Sequence, residues 1–182
     1  MDIDKQKVEQ DIRRWLERAV IGLNLCPFAK SVYVRNQVRI VVSDATGVDD
    51  LREELGEEML RLRDTPPEQV DTTLLVHPGV LEDFLDYNDF LDEADALLEA
   101  LELDGILQVA SFHPAYRFAD TDEGDPGNNT NRSPHPVLHL LREDSIDRAV
   151  EAYPEPDAII ERNIAKMEEL GNEGWRKLLS DA

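Results

Sequence analysis

The stretch Ser111–Glu143, SFHPAYRFADTDEGDPGNNTNRSPHPVLHLLRE, decides how this chain is read. It opens at the end of an apolar run, Ile106–Phe112 (ILQVASF), whose composition suits a strand. Pro114 cannot donate to a ladder, so pairing should stop there. The loop at 120–131 is long for a plain connector, and such loops tend to carry function. Ser133 then suits an N-cap and Pro134 a first helical position, with Pro136 still in the first turn. The spacing predicts a helix over 134–142. On that helix His135, His139 and Arg142 would project within about 60° of one another, with Val137, Leu140 and Leu141 opposite.

This reading concentrates polar chemistry in one place. The stretch holds three of the four histidines. A helix start preceded by Arg132 and by Asn128, Asn129 and Asn131 is equipped to hold a phosphate or carboxylate. Ser111, His113, Tyr116 and Arg117 follow the strand end, where ligand groups gather in α/β sheets. The ligand set expected is therefore Arg117, Asn131, Arg132, Ser133 and Arg142. His113 or His139 would do acid–base work, Tyr116 would orient or donate, and Cys26 is a candidate nucleophile. The plainer alternatives stand beside these. Arg142 could pair with Glu143, His113 could make a structural hydrogen bond, and Cys26 could be a buried, inert thiol.

A metal is a further option. His135 and His139 stand i, i+4, as zinc-binding pairs on helices do, with His113 or Cys26 as a third ligand. No acid lies between the two histidines, however, and no Cys-x-x-Cys accompanies them. His77, at the end of an apolar run, could join the site if its strand neighbours the one at 106. No Gly-x-Gly-x-x-Gly, Walker-type or Gly-x-Ser-x-Gly motif is present, so no cofactor is named.

Outward from this stretch the chain alternates between helical and strand periods. Val8, Ile12, Trp15, Leu16, Ala19 and Leu23 mark a helix over about 5–25, ended by Pro27. Val32 and Val34, then Val38, Ile40 and Val42, alternate across a turn at Asn36-Gln37, which predicts a β-hairpin. A helix over 48–63 with Thr46 or Asp44 as cap, a strand at 72–77 and a helix over 78–102 follow, with Gly105 closing the last. After the strand at 106–112 come helices at 134–142, 144–152 and 156–170 and a turn near Trp175. The order predicts an α+β fold, a small mixed sheet of about four strands covered by helices, in a single domain over 1–182. A ferredoxin-like arrangement is one option.

Composition limits the partners. With 40 acidic against 19 basic residues the formal charge is −21, which argues against nucleic acid or an anionic membrane. A solvated acidic surface, adapted to high salt, is the plain reading of that charge. One cysteine cannot form an internal disulfide, no signal-peptide core opens the chain, and no apolar run is long enough to span a bilayer. A cytoplasmic protein is expected.

Three stretches, WLERAVIGLNLCPFA, FLDYNDFLDEADALL and SFHPAYRFAD…NNTNRSPHPVLHLLRE, resemble a bacterial family known only as a domain of unknown function. The resemblance spans about residues 10–170. It implies one intracellular domain and no particular activity. In that family the position of His135 is often aromatic, which favours His113 and His139 over a two-histidine metal pair. The functional expectation is an enzyme acting on a small anionic metabolite. The alternatives are a non-catalytic small-ligand module and a metal-binding protein using His113, His139 and His135.

Overall fold

In the computed structural model, which describes residues 2–153 and 155–180, four short strands form one sheet. They are β1 (Val38–Val42), β2 (Thr72–Val76), β3 (Leu107–Phe112) and β4 (Val137–Arg142), in the order β1-β2-β4-β3. β1 and β2 run parallel, joined by the crossover helix α3 (Val48–Asp64), as parallel neighbours require. β4 lies antiparallel to both β2 and β3. Its register sets Leu74, His139 and Ala110 in one row across the sheet.

Period-two alternation gives the sheet two apolar faces. Val41, Leu75, Val109, Leu138 and Leu140 pack against α3 and α4 (Phe84–Ala100). On the other face Ile40, Leu74, Val76, Val137 and Phe112 meet α1 (Lys5–Trp15) and α6 (Pro156–Leu179). Each enclosed Leu, Val or Phe contributes roughly 1.5–3 kcal/mol of burial. The helices lock on by their own chemistry. Asp4 accepts the Lys7 N–H at 3.1 Å at the start of α1, whose Val8, Ile12 and Trp15 are buried. Asp83 accepts from Leu85 and Asp86 at the start of α4. Tyr87, in the first turn of α4, donates to Val137 O at 2.6 Å and accepts the Phe112 N–H at 3.1 Å. Its hydroxyl is thus the last rung between β3 and β4.

The α+β class and the four strands hold, but their membership differs from expectation. Residues 134–142 are not a helix: 137–142 form β4, the second central strand. Held between β2 and β3, this segment pairs its backbone on both sides, and tertiary pairing overrides the local helix-start signals. Ser133 caps no helix; its hydroxyl donates to His135 O at 2.6 Å. The hairpin is also absent. Ala29–Val34 is a short helix, α2, that buries no residue, and Asn36 (φ 59°) turns the chain directly into β1. The strand–helix order β-α-β-α-β-β departs from the βαββαβ of the ferredoxin-like option.

Smaller differences follow from caps and backbone. α3 begins after Gly47, with no side-chain cap from Thr46 or Asp44. α4 begins at Phe84 rather than near 78, because Leu81 takes a left-handed φ of 59° and Asp83 supplies the cap. The first helix passes into a π-helical stretch, Leu16–Ile21. The last two helices are α5 (Glu143–Ala152) and α6, the latter broken at Gly171 (φ 71°, ψ 168°), a conformation open essentially to glycine alone.

Candidate functional site

The loop after β3 is organised by the residues expected to bind an anion. Arg132 Nε donates to Tyr116 O at 2.9 Å, and its two terminal nitrogens donate to Glu123 O at 2.7 Å and Asn129 Oδ1 at 3.3 Å. Asn131 Nδ2 donates to Ser111 O, and Arg117 Nε to Thr121 O. The Tyr116 ring lies between Phe84, to which it is tilted, and Phe118, which it meets edge to face. A 3-10 helix, Pro126–Asn131, buries Asn128 and Asn129, and Asn129 reaches Asn172 just after the break in α6. The donors therefore hold the loop's own carbonyls. Arg142 points to the α3 side of the sheet and donates to Thr65 O and Val70 O, at 2.6 and 2.7 Å.

The structure separates His135 and His139 from His113, while His77 and His113 pack on the same Tyr87 ring although β4 lies between their two strands. His113 is buried against Tyr87 and Phe84; Nδ1 accepts the Ala115 N–H and Nε2–H donates to Leu81 O, both at 3.0 Å. Both ring nitrogens are thus used, and burial pushes its pKa down. His135 Nε2 meets Asp11 at 2.9 Å, near the N-terminal helix. His139 lies on the opposite face of the sheet from His77 and Arg142. Among the described residues no group of three His, Cys, Asp or Glu side chains is placed to hold a metal ion. Cys26 is exposed rather than buried, and none of the hydrogen bonds of His113 reaches it.

What the α1/α6 face of the sheet does contain is a cavity of about 410 Å³. Its floor is the sheet itself, at Leu74, Ala110, Phe112 and His139. Trp15 and Val20 form one wall; Ile146 and Ala149 of α5 and Ile159 of α6 form another. The lining is almost wholly apolar. Phe28, at the start of α2, meets Tyr153, at the end of α5, edge to face at 5.4 Å and bridges the roof. Neither α2 nor α5 buries a residue, so this roof is the lightest packing around the sheet. The polar groups of the lining are engaged with one another or with the protein: Ser145 Oγ donates to Asp71 at 2.9 Å and Tyr33 donates to Glu17 at 2.7 Å; the exposed Cys26 also lines the hollow.

His139 is the one imidazole in this lining. It sits mid-strand beside the small Ala110, which leaves room above it. Its Nε2 lies 2.7 Å from Thr72 Oγ1, which also lies 2.5 Å from Leu140 O. A carbonyl only accepts, so the Thr72 proton goes to Leu140 and Nε2–H donates to Thr72. The tautomer is thereby fixed, leaving Nδ1 as an acceptor. Enclosed by protein on every side but the cavity, the ring has its pKa held down to about 4 by burial. It is neutral at physiological pH.

A family model described as "Protein of unknown function (DUF1415)" matches residues 7–177. The chain belongs to this family. Comparison with curated proteins and with solved structures returns no match in either. In this DUF1415 chain, two of the stretches quoted above meet at the cavity: LNLCPFA brings Cys26 and Phe28 to its mouth, and PVLHLL brings His139 to its floor. SFHPAYRFAD adds Phe112 to the floor, and beyond it buttresses the end of the sheet through His113 and Tyr116. Thr72, Phe112 and Tyr153 were not legible as site residues. The available signal was the alternation Val137, His139, Leu141, which sets an imidazole in an otherwise apolar strand face.

Proposed function

We propose that this protein binds a small, largely apolar ligand in the cavity between the sheet and the α2/α5 roof. The observation that carries this reading is an apolar hollow of about 410 Å³ with one oriented imidazole in its floor. Ligand sites have this character: apolar walls for affinity and few polar groups for orientation. An anionic metabolite at Arg132, Asn131 and Ser133 is less well supported, because their donors hold the protein's own oxygens. Of the expectations raised by the sequence, the small-ligand module fits best. An unpaired, exposed thiol suits a reducing compartment, which supports an intracellular place of action. Among the described residues no helix is long and apolar enough to cross a membrane.

The test uses Trp15, one of two tryptophans and part of the wall. Titration with a naphthalene-class compound should quench its emission saturably. Ala110→Phe and Ala149→Phe, which fill the space from opposite sides, should abolish the quench while preserving a cooperative melt. Quenching that survives in both variants would place the compound elsewhere and end the proposal.

A further inference from the structure

Resting on that cavity reading, the hydrogen-bond inventory of its lining narrows the ligand. The Thr72 proton is spent on Leu140 O, the Tyr33 proton on Glu17 and the Ser145 proton on Asp71. The Trp15 indole N–H has no exposed surface. His139 gives its only N–H to Thr72. Its Nδ1 has no hydrogen-bond partner among the described residues, yet it is not among the fully enclosed unsatisfied atoms. Apart from the weak S–H donor of the exposed Cys26, the oriented polar side chain of the hollow therefore accepts and does not donate.

Charge points the same way. Among the described residues no Lys or Arg lines the cavity, and the one carboxylate in the lining, Asp71, accepts from Ser145 and interacts electrostatically with Arg142. An anionic ligand would find no counter-charge, and a cation would find only Asp71, which already accepts from Ser145 and lies in the field of Arg142, so the lining favours a neutral ligand. Size supplies the last limit. A 150 Å³ apolar cavity holds benzene, so a space about 2.7 times larger suits roughly 15 non-hydrogen atoms.

We infer that the ligand is a neutral apolar molecule of about that size carrying a hydroxyl or N–H group, a phenol or alcohol in type, whose proton is donated to Nδ1 of His139. Thr72 is a positioning residue. By accepting from Nε2 it keeps the other nitrogen free of a proton and turned to the ligand.

The experiment compares 1-naphthol with 1-methylnaphthalene, which share a shape and differ in the donor, and adds 1-naphthoate as the anion. Equilibrium dialysis against the full chain should show naphthol bound about tenfold more tightly than methylnaphthalene, with naphthoate weakest. In His139→Leu the preference should shrink to less than about twofold while methylnaphthalene affinity is retained. Thr72→Val, which removes the acceptor that fixes the tautomer, should cut the preference severalfold and serves as the second variant should His139→Leu not fold. Equal binding of naphthol and methylnaphthalene by the wild type overturns this inference and leaves the cavity reading intact. A preference that persists in either variant also overturns it. Failure of all three compounds to bind overturns both readings.

Discussion

Acid should unfold this protein partly through His77, and the size of the effect follows from its surroundings. The ring is fully enclosed and stacked on Tyr87 at 5.8 Å. Nδ1–H donates to Val80 O at 2.9 Å, while Nε2 has no hydrogen-bond partner among the described residues. Burial pushes its pKa from 6.5 down to about 4. A folded-state pKa below the unfolded one means that the unfolded chain takes up the extra proton. Stability is therefore complete above pH 6.5 and is lost as the pH falls towards 4. Integrating the linkage gives a loss of about 2 kcal/mol at pH 5 and about 3 kcal/mol once both states are protonated. His139, with a pKa also near 4, adds in the same direction. Protonation of the many carboxylates changes the background, so the measurement is a difference. Wild type and His77→Asn, in which the amide can still donate to Val80 O, are unfolded in urea at pH 7, 6 and 5. The variant should be the less stable at pH 7 through lost packing, and the gap should close by about 2 kcal/mol at pH 5. A gap that does not change with pH would refute the reasoning.

Four further outcomes are expected. Tyr87→Phe removes the hydroxyl rung between β3 and β4 and should cost about 1–3 kcal/mol in chemical denaturation, with an unchanged value counting against that role. Arg132→Ala should release the loop between His113 and Asn131, read as faster proteolysis near residues 117–126, while cavity binding of the naphthalene probe is kept. Arg39→Met leaves the buried Glu58 carboxylate with only Arg61 at 3.6 Å, and should destabilise by about 3 kcal/mol at neutral pH. With a net charge of −21, the melting temperature should rise from dilute buffer to molar salt as repulsion is screened; equal temperatures would show that the acidity is not limiting.

The helices α1, α3 and α4 and the strands β2 and β3 were readable because each shows one dominant period. Val8, Ile12 and Trp15, or Leu51, Leu55, Met59 and Leu62, fall at the spacing of a helical stripe and are buried as such. β4 was not readable, because Ser-Pro-x-Pro imitates a helix start and Val137, Leu140 and Leu141 fit a helical stripe as well as a doubly buried strand. The error carried the site with it. Read as a helix, His135, His139 and Arg142 share one face; read as a strand, His139 and Arg142 face opposite layers. α2 was misread for the converse reason: β-branched Val32 and Val34 favour a strand, but the segment is a short roof helix held by tertiary contact. The cavity could not be seen at all, since its floor, walls and roof come from segments far apart in sequence.

β4 fills the middle of the sheet, yet it is the last strand to leave the ribosome. β1 and β2 can pair once residue 76 has emerged, but β2 then shows a bare inner edge until residues 137–142 arrive. At typical elongation rates that interval is on the order of several seconds. An apolar strand with unpaired N–H and C=O groups invites joining by another nascent chain. A polypeptide as acidic as this one repels its copies throughout that interval, which gives the charge a use before the fold exists.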